Sequence, residues 1–290
     1  MSPENAILLD KHKDILSFRD LTPGTVATYV SYMTSFIDWV ETNHPGLSLK
    51  EISWGTIREY IRYLKGPRNL ANRSINPHLA QLHDFWYYVL HKEWDKREVP
   101  YLKFDVHLPL VPTREQVKTI IDSIENPKHK AEIVLLYSSG IRISELIRLR
   151  CKDIRRANHQ IYVSTSKNRQ DRYAILAENA IPVLIDYVKS SYRGAKPDDW
   201  LFPGQKVGSH ISDQSVYMTF VRQAAACGYA DEGFNLHSLR HAFALHLYDK
   251  GYDLMSIKEA LGHKSLNSTL VYVTLGIGNG RSVTSPYDFS

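Results

Sequence analysis

The chain has 290 residues, 43% of them hydrophobic and 23% charged, which is enough apolar material for two domains, each with its own core. A formal net charge of +5 suits a polyanionic partner, although such an excess is shared by many proteins with no such partner. No apolar run approaches membrane length, Met1-Ser2-Pro3-Glu4-Asn5 lacks a signal-peptide pattern, and Cys151 and Cys227 are far apart, so the expected location is the cytoplasm.

The N-terminal segment has helical periodicity. Thr22 caps a helix with Pro23 at its first position, and Val26, Tyr29, Val30, Met33, Phe36, Ile37 and Val40 trace one apolar face. Ser53 caps a second helix whose Ile57, Tyr60, Ile61 and Leu64 face inward. Its Arg58, Arg62 and Lys65 recur at i, i+4 and i+7, a row that suits either a phosphate backbone or a plain solvated face. Asn76 and Pro77 start a third helix running through Leu90, where packing accounts for most of the rings of Phe85, Trp86, Tyr87 and Tyr88. Pro100, Pro109 and Pro112 then mark a stretch without helical period, which reads as a linker. The expected organisation is an N-terminal helical domain over 1–99, a linker over 100–112, a second domain over 113–273 and a tail over 274–290.

Thr113-Arg-Glu-Gln resembles a capping box and opens the second domain with a helix. A short antiparallel pair follows, Gln160 to Thr165 and Arg172 to Leu176, with Lys167 on the turn between them. Ser238 to Lys250 reads as a helix stopped by Gly251, Met255 to Leu261 as a short helix ended by Gly262, and Ser265 as the cap of a last helix carrying Tyr272. Gly276, Gly278 and Gly280 are expected to break up the tail. The fold class is therefore mainly α with a small antiparallel sheet, α+β.

Five groups in the second domain bear on chemistry: Gly140-Ile-Arg-Ile-Ser-Glu-Leu, Ser166-Lys-Asn-Arg, His237-Ser-Leu-Arg-His, Leu261-Gly-His, and Tyr272 nine residues past His263. Transfer of a phosphodiester develops negative charge on its non-bridging oxygens, and planar guanidinium forks such as Arg142 and Arg240 neutralise it without a metal. A covalent intermediate requires a nucleophile, and a Tyr hydroxyl needs nearby positive charge or a base; Tyr272 is the candidate, with His237 as its helper. The leaving oxygen must gain a proton, which Lys167 can deliver if Arg169 and Arg172 lower its pKa. His237 and Arg240 lie three apart at a helix N-terminus, so both reach one phosphate in the field of the helix dipole. Taken singly, each of these residues fits a bland role: Tyr272 in Leu-Val-Tyr-Val-Thr could fill core, and His241 suits core or supporting duty. Order and spacing make the set specific.

Over residues 113 to 273, roughly, the chain resembles the catalytic domain of the tyrosine recombinase family (phage integrase, Xer-like), and an N-terminal helical domain extends the resemblance to nearly the whole chain. The family's constellation of Arg, Lys, His-x-x-Arg, His and Tyr matches Arg142, Lys167, His237 with Arg240, His263 and Tyr272; its supporting Glu matches Glu145. Ser139 and Ser166 stand where relatives commonly have Thr and Gly. The resemblance implies a C-shaped clamp around duplex DNA and a helical domain that binds the core site, with Arg58, Arg62, Lys65, Arg169 and Arg172 as DNA contacts. It further implies a 3′-phosphotyrosyl link with a free 5′-hydroxyl, a homotetramer on two sites, and a Holliday junction intermediate.

No Cys-x-x-Cys, His-Glu-x-x-His or Gly-rich loop ending in Gly-Lys-Ser/Thr occurs, so neither a metal nor a nucleotide cofactor is expected. The expected role is integration or cointegrate resolution for a mobile element. Xer-like resolution of chromosome or plasmid dimers is the alternative, and a type IB topoisomerase-like relaxing enzyme stands further off. A regulator that kept the fold without activity would be expected to lack one of the six residues, and none is missing.

Overall fold

Helix starts follow their caps. In the computed structural model, which describes residues 1–105, 108–164 and 171–278, the chain divides into two units, Met1–Val106 and His107–Ser290.

Among the described residues the first unit holds four α-helices: α1 (Pro3–Ser17), α2 (Pro23–Asn43), α3 (Trp54–Lys65) and α4 (Asn72–Tyr88). The expected caps form, since Thr22 Oγ1 accepts from the Thr25 amide and Ser53 Oγ from the Thr56 amide. Ser2 caps α1 in the same way, with Pro3 at the first helical position, a start signal that the sequence carried unnoticed. Met33, Phe36, Ile37 and Val40 of α2, Ile57, Tyr60 and Leu64 of α3, and Ile75, Leu79, Leu82 and Phe85 of α4 form one core. Val26, Tyr29 and Val30, at the other end of the α2 stripe, are only half-buried.

Helix α4 begins four residues before Asn76, with Pro77 inside it. Asn76 is occupied elsewhere: its side chain donates to the Leu102 carbonyl and accepts from the Leu102 amide, each at 2.9 Å, so it fastens the segment after the helix and does not cap it. Of the four neighbouring rings, Phe85 and Trp86 are buried, the latter stacked on Trp54 at 4.7 Å, whereas Tyr87 and Tyr88 face solvent.

The second unit contains α5 (Arg114–Asp122), α6 (Pro127–Ser139), α7 (Ile143–Leu146), β1 (Ile154–Arg155), β2 (Gln160–Val163), β3 (Arg172–Ile175), α8 (Ala180–Ser191), α9 (Asp213–Ala226), α10 (Leu236–Asp249), α11 (Leu254–Leu261) and α12 (Asn267–Gly278). Thr113 and Gln116 form the expected reciprocal capping box on α5. The sheet is antiparallel in the order β1-β2-β3, with Ile161 opposite Ala174, so that Ile161, Val163 and Ala174 share its buried face. Helix α6, whose Ile133, Leu135 and Leu136 are buried, lies against α5, α8, α9 and α10 and forms the centre of this core.

The expectation of a broken tail is corrected over its described part, because α12 continues through Gly276 and Gly278. Contact explains the small residue: a Cβ on Gly276 would lie 2.6 Å from the Tyr248 ring, so glycine lets the last helix approach α10 closely. No helix among the described residues is long and apolar enough to cross a membrane.

Candidate active site

The Arg142 turn owes its shape to Gly140. Helix α6 ends there at φ +63°, and a Cβ would fall 2.3 Å from Cδ1 of Phe243 on α10, so no larger residue fits. Arg142 then becomes the N-cap of the short α7. Its amide donates to Glu145 Oε2 at 2.8 Å and its Nη1 to Glu145 Oε1 at 3.0 Å, with the carboxylate buried beneath it. Pairing a guanidinium with a buried carboxylate fixes the direction of its remaining donors.

Helix α10 supplies three more polar groups on one face. Asn235 caps it, accepting from the amides of His237 and Ser238, so His237 stands in the first turn and is exposed. Arg240, one turn on, is 3% exposed and donates from Nη1 to the Gly140 carbonyl and from Nη2 to the Leu261 carbonyl at 2.7 Å. These bonds tie together the turns that precede Arg142 and His263, and leave other guanidinium donors unassigned. His241 follows at i+4 from His237, with the two rings edge to face at 5.0 Å.

Tyr272 reaches this cluster from α12. It is 1% exposed, and its hydroxyl lies 3.0 Å from His241 Nδ1. His241, expected to take core or supporting duty, is thus the direct partner of the expected nucleophile, and His237, expected as its helper, stands one turn before it on the same helix. The i+4 spacing on the His237 face was the signal that could have found it. His263, just after the left-handed Gly262 that ends α11, places Nδ1 3.0 Å from the buried Thr269 hydroxyl.

The electrostatics show how tightly these groups gather. Burial, then the charges of Arg142 and Arg172, bring Arg240 down to about 10, so it stays cationic at neutral pH. Burial first, then Arg240 and Arg142, lower His237; burial with the same two arginines, His241 and Arg172 brings His263 to about 4. His241 is likewise neutral, at about 4, through burial and the charges of His237 and Arg240. Burial pushes Tyr272 up to about 12 against the opposing pull of Arg240. Arg142, His237, Arg240, His263 and Tyr272 therefore share one electrostatic environment.

The expected DNA contacts fare differently. Arg58, Arg62 and Lys65 are exposed along α3 in the first unit, where Arg58 pairs with Glu98 at 2.5 Å. Arg172 is corrected: its side chain is 12% exposed, with Nη2 on Glu145 Oε2 at 2.9 Å and Nη1 on the Ala260 carbonyl at 3.0 Å, so its guanidinium is turned inward. Lys167 and Arg169 lie outside the described residues. Among the described residues no three His, Cys, Asp or Glu side chains converge as metal ligands would.

Residues 111–276 match the model of the phage integrase family, and residues 8–96 match that of the phage integrase N-terminal SAM-like domain. The chain belongs to the phage integrase family. A Sinorhizobium fredii protein named, provisionally, integrase/recombinase y4qK is 30% identical over 288 residues, covering 97% of this chain and 88% of that protein. Tyrosine recombinase XerD of Rickettsia prowazekii is 28% identical over 283 residues, covering 90% of each. The fold is that of the XerH site-specific recombinase solved with its difH substrate in a pre-cleavage complex (TM-score 0.70, 24% identity, 89% of this chain and 79% of that one). The chain is a tyrosine site-specific recombinase, and the two matched domains account for its helical first unit and mixed second unit.

Proposed function

We propose that this recombinase cleaves and rejoins duplex DNA at a specific core site, with Tyr272 as the nucleophile and Arg142, Lys167, His237, Arg240 and His263 as the groups that handle the phosphate and its protons. The Tyr272 hydroxyl gives its proton to His237 as its oxygen attacks the phosphorus, the bond from phosphorus to the 5′-oxygen breaks, and a 3′-phosphotyrosyl link and a free 5′-hydroxyl result. Arg142 and Arg240 offset the charge that develops on the non-bridging oxygens. Lys167 gives the leaving oxygen its proton, and a partner strand's 5′-hydroxyl reverses the attack. Bond energy stays in the phosphotyrosyl link, so no nucleotide is consumed.

The observation that carries this reading is the gathering of five of these residues, from α7, α10, the turn after α11 and α12, in one unit of one chain. In the state described here the Tyr272 hydroxyl bonds His241 and is buried. Attack requires it to leave that contact for a phosphate, a step that binding of DNA drives. Arg58, Arg62 and Lys65 contribute to DNA binding from the exposed side of α3, and Arg169 is a further DNA contact. Assembly is a homotetramer on two DNA sites with exchange through a Holliday junction.

Tyr272→Phe is expected to retain site binding and lose all covalent attachment to DNA; an adduct persisting on denaturing gels would refute the assignment. The role proposed is integration or cointegrate resolution for a mobile element, which the integrase/recombinase name of the S. fredii relative supports. Footprinting on the DNA that flanks the gene decides it: protected sites at both ends of a mobile element agree with this role, and a lone chromosomal site would replace it with dimer resolution.

A further inference from the structure

Arg172, the first residue of β3, is a second largely buried cation beside Arg240, and its guanidinium contacts are spent on protein groups. Its Nη2 donates to Glu145 Oε2 at 2.9 Å, and that same oxygen takes the Arg142 amide at 2.8 Å, while Oε1 holds the Arg142 guanidinium at 3.0 Å. Its Nη1 donates to the carbonyl of Ala260 at 3.0 Å, three residues before His263. The stem lies over the intervening turn: a Cβ on Gly262 would come within 2.5 Å of Arg172 Cδ and 2.6 Å of its Nε. Gly262 is therefore fixed twice, by its φ of +64° and by the side chain that crosses it.

One planar guanidinium thus spans two segments distant in sequence, the turn that presents Arg142 and the turn that presents His263. We propose that Arg172 is a positioning residue for cleavage, a fork whose two ends set the Arg142 turn and the His263 turn in register with each other. An ammonium has no counterpart to this geometry, because its three donors radiate from one atom and cannot lie flat between a carboxylate and a carbonyl. Glu145 needs the contact as well, since a buried carboxylate facing Arg142 alone would lose one of its two cations and be left partly uncompensated. The inference rests on Arg142 and His263 belonging to the phosphate-handling set.

The test compares full-length R172A, R172K, R142A and Y272F on a nicked duplex carrying the footprinted core site, scoring binding by gel shift and covalent adduct by single-turnover kinetics. R172A is expected to bind with nearly unchanged affinity and to form adduct on the order of 10–100-fold more slowly, the loss typical of a misplaced catalytic group. R172K keeps the charge and guards against simple unfolding; it should melt near the wild type and still lose most of the rate. Millimolar guanidinium should restore part of the R172A rate. Four results would overturn the inference: a wild-type rate in R172A, full recovery in R172K, parallel loss of binding and cleavage, or a rate that merely tracks the folded fraction. R142A separates the two levels of argument. If R142A cleaves normally while Y272F does not, the phosphate-binding assignment of Arg142 falls and takes this one with it; if R142A is inactive and R172A is not, only the role of Arg172 falls.

Discussion

Glu132 of α6 has no exposed surface, and neither of its carboxylate oxygens has a hydrogen-bond partner among the described residues. Lys128, whose charge offsets part of the resulting penalty, gives its ammonium to the Pro203 carbonyl at 2.6 Å. Burial therefore raises the Glu132 carboxyl from 4.5 to about 7. Between those values the folded chain keeps a proton that the unfolded chain has released. Stability contributed by the neutral carboxyl is thus fully present below about 4.5, is lost as pH rises toward 7, and changes no further above that. A window of about 2.5 pH units at ~1.4 kcal/mol each amounts to about 3 kcal/mol. Glu132→Gln keeps the volume and cannot ionise, so its stability relative to wild type should improve by that amount between pH 4.5 and pH 8. For a unit of this size the gain corresponds to roughly 6–12 °C in Tm. Thermal and urea melts of both proteins at several pH values check it, and a difference between them that stays constant with pH would refute the burial argument. The variant also separates unfolding from active-site titration in any pH profile of cleavage, because His241 and His263, held at about 4, are neutral across the same range.

Two further substitutions probe the architecture of the site. Gly140→Ala combines a left-handed backbone with a Cβ 2.3 Å from the Phe243 ring, and should cost roughly 2–5 kcal/mol together with loss of cleavage as the Arg142 turn shifts. Gly228→Ala, where φ is +85° but nothing lies within 4 Å, carries only the backbone strain; equal losses in urea melts of the two variants would contradict the packing argument. His241→Phe removes the hydrogen-bond partner of the buried Tyr272 hydroxyl and should cost about 1–3 kcal/mol, whereas His241→Asn, whose side-chain amide can bond in place of Nδ1, should recover most of it. Indistinguishable melting curves for Phe and Asn would show that the hydrogen bond contributes nothing.

Features whose causes are local could be read from the order of residues alone. Thr22, Ser53 and Thr113 each cap a helix through an amide three residues away, so their helix starts were legible without a fold. Arg142, His237, Arg240, His263 and Tyr272 were legible for a different reason: phosphodiester chemistry needs those residue types, and their order along the chain is specific. Contacts between residues far apart in sequence came only with the packing of the chain. Arg240 meets the Gly140 carbonyl across 100 positions and Arg172 meets the Ala260 carbonyl across 88, so neither periodicity nor spacing could assign their donors. The same limit hid the bond from His241 to Tyr272, the tie of Asn76 to Leu102, and the close passage of Gly276 over Tyr248. Arg172 shows the difference most clearly. Its charge in the sequence suggested a surface contact with DNA, but the packing of β3 against the Arg142 and Gly262 turns removed that guanidinium from water and left Glu145 and a backbone carbonyl as its acceptors.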